Sequence, residues 1–176
     1  MSHLADPMRS DNVRAEPLAE LHRADLKAAC ATDTQIWAIY PRNFGPDGFD
    51  AEFDGFLAND WASFALFDGD RLVGMSSFIN AQPDASTVEI GATYYHPDMR
   101  GTGFNRTVKD MMIRRARDCG YAYVQFKVDA RNERSCAAVM KLGARRLRVD
   151  EKDRTTWTGH VRDTVVFQLD TADWAG

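Results

Sequence analysis

Hydrophobic residues follow two different periods along this chain, and the two periods predict helices and strands in a definite order. Apolar residues recur at every third or fourth position, as in an amphipathic helix, in segments 18–29, 35–40, 49–57, 107–119 and 135–142. Runs rich in apolar β-type residues predict strands near residue 13 and in segments 61–67, 71–79, 87–95, 121–128, 145–149 and 161–169. The order of these elements predicts an α/β (α+β) fold, in which a mixed sheet carries helices on its faces.

Turn and capping residues separate these elements. Asp68-Gly69-Asp70 lies between two strand segments and predicts a hairpin turn. Gly120 and Gly143 follow helical segments and are typical of helix ends. Asn132 precedes the segment 135–142 and is a favoured residue for a helix N-cap.

The composition narrows the class of protein and its partners. The 176 residues are 44% hydrophobic and 27% charged, which is typical of a soluble globular protein, and we expect a single domain over 1–176. The net charge is −4 and no basic run occurs, so we do not expect nucleic acid as a partner. Segment 1–11 lacks the apolar core of a signal peptide, and we expect a flexible polar tail there.

The remaining compositional features concern membranes, metals and redox state. No segment is long and apolar enough to predict a membrane span. Cys30, Cys119 and Cys136 occur in unrelated contexts and have no metal-ligand spacing. We therefore expect no metal site and three reduced thiols, and the cytoplasm is the expected compartment.

A glycine-rich loop between a predicted strand and a predicted helix is the most informative segment. It has the sequence Arg100-Gly101-Thr102-Gly103-Phe104-Asn105. Glycine lets a backbone approach a ligand closely, and the first N–H groups of the following helix attract an anion. The loop therefore predicts a pyrophosphate site, with a tight turn before a helix as the alternative.

Three motifs between residues 89 and 143 resemble the GCN5-related N-acetyltransferase (GNAT) superfamily, in particular its branch that acetylates the N-termini of ribosomal proteins. Segment 88–97 is similar to the family's fourth strand, and the loop 100–105 is similar to its coenzyme pattern [QR]-x-x-G-x-[GA]. Segment 129–135, with Leu142-Gly143-Ala144 after it, resembles the family's Asn-x-x-Ser helix and the following turn. One departure is Asn105, which occupies the last Gly/Ala position of the pattern, but asparagine tolerates unusual backbone angles and caps helices.

The resemblance implies a fold, a co-substrate and a set of binding residues. It implies a mostly antiparallel sheet of about six or seven strands, with the family's fourth and fifth strands splayed around acetyl-CoA and with dimers common among relatives. No metal is implied. The coenzyme-binding residues that follow from it are Tyr94, Tyr95, His96, Arg100, Gly101, Thr102, Gly103, Phe104, Asn105 and Asn132. Backbone groups would do most of this binding, so Arg100 is either a phosphate ligand or a surface residue, and Asn132 either contacts the pantetheine arm or only caps a helix.

Two residues are candidates for the chemistry of acetyl transfer. Glu89 lies inside an apolar strand, where desolvation would raise its pKa and suit a general base acting through water. The alternative for Glu89 is a glutamate that faces solvent or pairs with an arginine. The resemblance implies that Ser135, the serine of the Asn-x-x-Ser motif, is the acid or hydrogen-bond donor to the coenzyme sulfur, and its alternative is the third residue of a helix capped by Asn132.

The acceptor side is less clearly marked in the sequence. Trp37, Tyr40, Phe44 and Phe49 are either an aromatic cover for the acceptor or core residues, and their spacing favours the core. His96 has no partner suitable for a metal and is interpreted as structural.

Taken together, the residues and the resemblance favour an acetyl-CoA-dependent N-acetyltransferase that acts on a primary amine, either a protein N-terminus or a small molecule, by direct attack in a ternary complex. A catalytically silent acetyl-CoA sensor or scaffold is the alternative. A nucleotide-binding protein is disfavoured, because the chain has no G-x-x-x-x-G-K-[ST] loop.

Overall fold

The computed structural model describes residues 3–176 and contains one twisted sheet of eight strands. The strands lie in the order β1-β2-β3-β4-β5-β6-β8-β7, and every neighbouring pair is antiparallel except β5 with β6. Their bounds are β1 Met8–Ser10, β2 Val13–Pro17, β3 Ala62–Asp68, β4 Arg71–Gln82, β5 Thr87–Tyr95, β6 Tyr123–Asp129, β7 Arg145–Thr155 and β8 Val161–Asp170. The predicted fold class is therefore confirmed, with one strand more than expected.

Four helices cover the two faces of this sheet. They are α1 Arg23–Ala31, α2 Phe49–Ala58, α3 Phe104–Asp118 and α4 Glu133–Lys141. Phe64 and Leu66 of β3 pack in a core with α3 and α4, whereas Ala65 between them packs in a second core with α1 and α2. Because successive side chains of a strand point to opposite faces, the two cores lie on opposite sides of the sheet. Within residues 3–176 no helix is long and apolar enough to cross a membrane.

The segment expected to be a flexible tail is ordered over most of its length. Met8–Ser10 pairs with β2, and the Met8 side chain is buried in the first core. Arg115 of α3 donates hydrogen bonds to the main-chain carbonyls of residues 3, 6 and 7. The prediction was wrong here because a three-residue strand with a single buried side chain leaves no periodic pattern; residues 1 and 2 lie outside the described part of the chain.

A bulge in β5 and the separation of β5 from β6 create the opening that positions the site. Ser77 pairs with Gly91 and Met75 pairs with Tyr94, so β5 contains one extra residue between these pairs, and Ala92 has a φ of 49°. The parallel pairing of β5 with β6 covers only residues 87–89, after which the two strands diverge. These strands correspond to the family's fourth and fifth, and their predicted splay is present.

The hairpin of β7 and β8 is longer than the sequence predicted. Strand β7 ends at Thr155 instead of residue 149. The sequence did not predict its outer half, because that half is exposed and polar and shows no alternation. Beyond it, the indole Nε1 of Trp157 donates a hydrogen bond to the carbonyl of Trp37, at 2.7 Å. The hairpin tip thereby reaches the segment between α1 and α2.

Candidate active site

A cavity of about 560 Å³ occupies the opening between β5 and β6 and continues between the α1–α2 segment and the β7–β8 hairpin. Eight of the twelve site residues predicted from the sequence line it, namely Glu89, Tyr95, Arg100, Gly101, Gly103, Asn105, Asn132 and Ser135. The other four, which do not line it, are Tyr94, His96, Thr102 and Phe104. The glycine loop and both catalytic candidates therefore share one cavity.

The glycine loop contains main-chain N–H groups without a partner on residues that line this cavity. Gly101 and Gly103 have φ angles of 77° and 88°, a conformation that glycine adopts without strain, and Gly103 is the N-cap of α3. A Cβ at either position would meet no atom within 4 Å, so the space beside them is open. Among residues 3–176, the amides of Gly101, Gly103 and Asn105 have no hydrogen-bond acceptor. Unpaired N–H groups at a helix start fit a pyrophosphate.

Side chains around the loop hold its shape. The Thr102 hydroxyl donates to the Met99 carbonyl at 2.9 Å and accepts from the amide of Phe104, whose ring is buried in the first core. The Arg100 guanidinium forms an ion pair with Asp33, so this side chain is held near the α1 end of the cavity. Thr102 and Phe104 thus contribute to the conformation of the loop rather than to the lining of the cavity.

The three residues at the end of β5 differ in their surroundings. The Tyr94 hydroxyl is buried and donates to the Ala29 carbonyl at 2.8 Å, and burial raises its pKa to about 12. The Tyr95 hydroxyl is also buried, but it has no hydrogen-bond partner within residues 3–176. The His96 amide donates to the Val73 carbonyl, and the imidazole accepts from a backbone amide, so His96 shapes the strand end.

Glu89 is buried in the cavity wall and has two polar partners. Its side chain is 8% exposed. One carboxylate oxygen, Oε2, accepts a hydrogen bond from Asn80 Nδ2 at 2.7 Å and lies 3.2 Å from Lys127 Nζ. Asn80 and Lys127 thus supply the polar contacts that a buried carboxylate requires. Glu89 therefore does not face bulk solvent, and its ionic partner is a lysine of β6 rather than an arginine.

Asn132 and Ser135 have the helix-capping geometry that was the alternative interpretation. Asn132 Oδ1 accepts a hydrogen bond from the Ser135 amide at 3.1 Å, which makes Asn132 the N-cap of α4 and Ser135 its third residue. The cap uses the Asn132 oxygen and leaves its amide NH₂ beside the cavity. The Ser135 hydroxyl has no hydrogen bond to another described residue, and Ser135 lines the same wall.

The aromatic residues of the α1–α2 segment are core residues that also close one end of the cavity. Trp37, Phe44 and Phe49 are 1%, 3% and 0% exposed in the second core. The Tyr40 hydroxyl donates to the Thr93 carbonyl, and burial is the main cause that raises its pKa. Tyr40 and Phe44 also line the cavity, so part of this core cluster borders it.

Two buried cations of the cavity were not identified from the sequence. Lys109 of α3 is 6% exposed, donates to Thr93 Oγ1 at 3.0 Å, and has its pKa lowered by burial to about 7. Arg162 of β8 is 5% exposed and also lines the cavity. A signal for Lys109 existed, because it lies between Val108 and Met112 on the apolar stripe of its helix. Within residues 3–176, no group of three or more His, Cys, Asp or Glu residues is arranged to hold a metal ion.

Comparison with known proteins assigns this chain to a family. The sequence profile of the acetyltransferase (GNAT) domain matches residues 13–145, which is most of the chain. The chain therefore belongs to the GNAT acetyltransferase family, as the sequence motifs indicated. No curated protein sequence gives a significant match.

Solved structures share this fold over nearly the whole chain. A protein from T. thermophilus classed as an acetyltransferase is 29% identical, with a TM-score of 0.86 over 96% of this chain and 91% of its own. The ribosomal-protein-S5-alanine acetyltransferase of Vibrio fischeri is 14% identical, with a TM-score of 0.71 over 97% and 100%. The microcin C7 self-immunity acetyltransferase MccE, solved with acetyl-CoA and AMP, is 15% identical, with a TM-score of 0.77 over 92% and 93%. The two more distant matches show the fold alone.

Proposed function

We propose that this protein transfers the acetyl group of acetyl-CoA to a primary amine, by direct attack of the amine in a ternary complex. The observation that carries the proposal is the shared cavity, which is lined both by the loop residues with unpaired amides, Gly101, Gly103 and Asn105, and by the buried Glu89. Acetyl-CoA supplies an acyl group on a thiol leaving group. The remaining requirements of the reaction fall on residues of this chain.

The residues present fit the pyrophosphate and the pantetheine arm of the coenzyme. The free amides of Gly101, Gly103 and Asn105 would hold the pyrophosphate, assisted by the positive end of α3. The facing edges of β5 beyond Glu89 and of β6 beyond Gln125 are not paired with each other, and they offer backbone groups to the pantetheine arm. Binding of acetyl-CoA by the MccE structure supports this assignment, because that protein has the same fold.

Glu89 is the proposed general base. An amine is protonated at neutral pH and must lose a proton before it attacks, and a carboxylate at the cavity wall accepts that proton directly or through one water. Asn80 and Lys127 fix the position of the carboxylate. Because both partners bind Oε2, the other oxygen, Oε1, is the proposed acceptor.

Ser135 is the proposed hydrogen-bond donor to the coenzyme sulfur. Its hydroxyl makes no other hydrogen bond among the described residues, and Ser135 lines the same cavity as Glu89. A serine hydroxyl is too weak an acid for full proton transfer, so its contribution is to position and polarise the leaving group. The amide NH₂ of Asn132, which the cap does not use, is the proposed contact for the pantetheine arm.

The experiment combines coenzyme binding with turnover. Calorimetry with acetyl-CoA, CoA and ATP should show binding of the first two and no effective competition by ATP. Thiol release from acetyl-CoA is then measured over a panel of small amines and N-terminal peptides. Coenzyme binding without turnover on any amine would favour the silent sensor or scaffold, and ATP binding in place of acetyl-CoA would refute both.

The base assignment is tested separately by Glu89→Gln, which keeps the size of the side chain. We expect kcat to fall by about 100-fold or more while the affinity for acetyl-CoA is retained, since general-base catalysis contributes about that much. Glu151→Gln is the matched control, because Glu151 is exposed on β7 outside the cavity. An unchanged kcat and pH profile for Glu89→Gln would show that another group is the base.

A further inference from the structure

Arg162 is a buried arginine with unused hydrogen-bonding capacity in the cavity wall. Its guanidinium donates through Nη2 to the Lys127 carbonyl at 3.3 Å, but its buried Nε–H has no acceptor within residues 3–176. A buried donor without a partner costs free energy, and a guanidinium keeps its charge even when it is buried. The proposed acetyl-transfer chemistry makes no use of this residue.

The carboxylates nearest to Arg162 are already paired with other cations. Asp129, Asp153 and Glu89 act on Arg162 electrostatically. Asp129 lies 2.8 Å from Arg131, Asp153 lies 2.8 Å from Arg154, and Glu89 lies 3.2 Å from Lys127. In the described part of the chain, no carboxylate oxygen lies within 4.0 Å of the Arg162 guanidinium nitrogens. Arg162 is thus a buried cation that lacks a direct counter-ion.

A second arginine lies directly opposite Arg162. Arg154 of β7 is paired with Arg162 of β8 in the register of the antiparallel hairpin, and both residues line the cavity. Like charges directly opposite each other on two strands are destabilising. Burial is the main cause that lowers the pKa of Arg162, and Arg154 lowers it further, whereas Asp129, Asp153 and Glu89 act to raise it. A bound anion would relieve both unfavourable effects.

We propose that Arg162 and Arg154 form an anion subsite that binds a carboxylate or phosphate group of the acceptor while its amine lies beside Glu89. The inference rests on the proposed transferase function and names the acceptor class as a primary amine that carries an anionic group. A guanidinium binds such oxyanions with paired, charge-assisted hydrogen bonds, and the free Nε–H of Arg162 supplies one of them. The same subsite repels acceptors that carry only positive charges, such as polyamines.

The test compares amines that differ only in their anionic group. Thiol release is measured at saturating acetyl-CoA with free L-amino acids against their C-terminal amides, with O-phosphoethanolamine against ethanolamine, and with spermidine. We expect the best anionic acceptor to exceed its neutral counterpart by about tenfold or more in kcat/KM, because a charge-assisted hydrogen bond is lost with the anion. The carboxylate and phosphate pairs distinguish the two sources of the charge.

Variants connect this discrimination to the two arginines. Arg162→Gln should lower the ratio of kcat/KM for the anionic acceptor to kcat/KM for its neutral counterpart to about one, mainly by raising the KM of the anionic acceptor. Arg162→Lys should restore part of this ratio. Arg154→Gln should reduce the preference as well, and it tests the subsite even if the buried Arg162→Gln fails to fold, since the Arg154 side chain is 48% exposed. Arg148→Gln is the control, because Arg148 is a β7 arginine of similar exposure that pairs with Asp150 outside the cavity.

The outcomes separate the inference from the proposed function. If neutral amides or spermidine react as well as the anionic acceptors, the anion subsite is refuted while the transferase proposal stands. A preference for anionic acceptors that persists in Arg154→Gln and in every folded Arg162 variant also refutes it. If acetyl-CoA binds and no amine of either kind reacts, both proposals fail. Loss of the preference in the arginine variants but not in Arg148→Gln supports the subsite.

Discussion

The buried lysine of α3 makes the stability of this protein depend on pH in a way that one substitution should remove. Lys109 is 6% exposed, has no carboxylate partner among the described residues, and has its pKa lowered by burial from 10.5 to about 7. The Lys109→Met variant replaces the ammonium group with an apolar chain of similar length. It also removes the hydrogen bond to Thr93.

The magnitude follows from the two pKa values. Between pH 7 and 10.5 the unfolded chain holds a proton on Lys109 that the folded protein lacks, so the free energy of unfolding rises with pH in this window. At about 1.4 kcal/mol per pKa unit, the burial penalty is about 5 kcal/mol below pH 7 and disappears above pH 10.5. The expected change between about pH 7.5 and 9.5 is about 2.5 kcal/mol.

The assay is urea unfolding of the coenzyme-free protein, followed by tryptophan fluorescence, for both proteins at several pH values. At about pH 7.5, Lys109→Met should be about 3 kcal/mol more stable than the parent protein, after allowance of about 1 kcal/mol for the lost hydrogen bond. This advantage should shrink by about 2.5 kcal/mol toward pH 9.5.

The matched control for Lys109→Met is a substitution of an exposed lysine. Lys141→Met alters an exposed lysine near the end of α4 and should give a difference from the parent protein that does not change with pH. If the difference between Lys109→Met and the parent protein is equally flat with pH, Lys109 is not titrating near neutral pH and the burial argument is wrong.

Two further predictions concern the glycine loop. Gly103→Ala should weaken acetyl-CoA binding about tenfold or more by calorimetry, because a residue with a Cβ disfavours the φ of 88° and shifts the amides. The control is Gly69→Ala, which is also at positive φ but lies in the β3–β4 turn outside the cavity. It should lower the stability of the protein and leave its affinity for acetyl-CoA unchanged. Asn105→Ala should change the Kd for acetyl-CoA by no more than about threefold, since the backbone amide is the proposed ligand and alanine is accepted at the second position of a helix. A larger loss of affinity would mean that the Asn105 side chain binds the coenzyme.

Hydrophobic periodicity predicted the order of helices and strands well, because most elements of this chain bury one regular face. It failed where burial does not follow periodicity, as in the short strand at Met8–Ser10. The start of β8 shows the same limit in another form. There Val161 is 51% exposed, whereas Arg162 is 5% exposed, so the hydrophobic side chain faces out and the charged one faces in.

The candidate site contains both features that the sequence could predict and contacts that it could not. The loop at residues 100–105 and the cap at Asn132 are local features, and the chain's own spacing was sufficient to predict them. The partners of Glu89 come from β4 and β6, at Asn80 and Lys127, and the opposition of Arg154 to Arg162 depends on the register of a hairpin. Such contacts arise from tertiary pairing, which a single sequence does not specify.

The structure of this protein bound to acetyl-CoA is the measurement that tests the central claim most directly. We predict the pyrophosphate on the amides of Gly101, Gly103 and Asn105, and the thioester in the opening between β5 and β6, within reach of Glu89 through one water at most. A coenzyme whose pyrophosphate binds elsewhere, or whose thioester lies outside this opening, would contradict the assignment of this cavity to acetyl transfer.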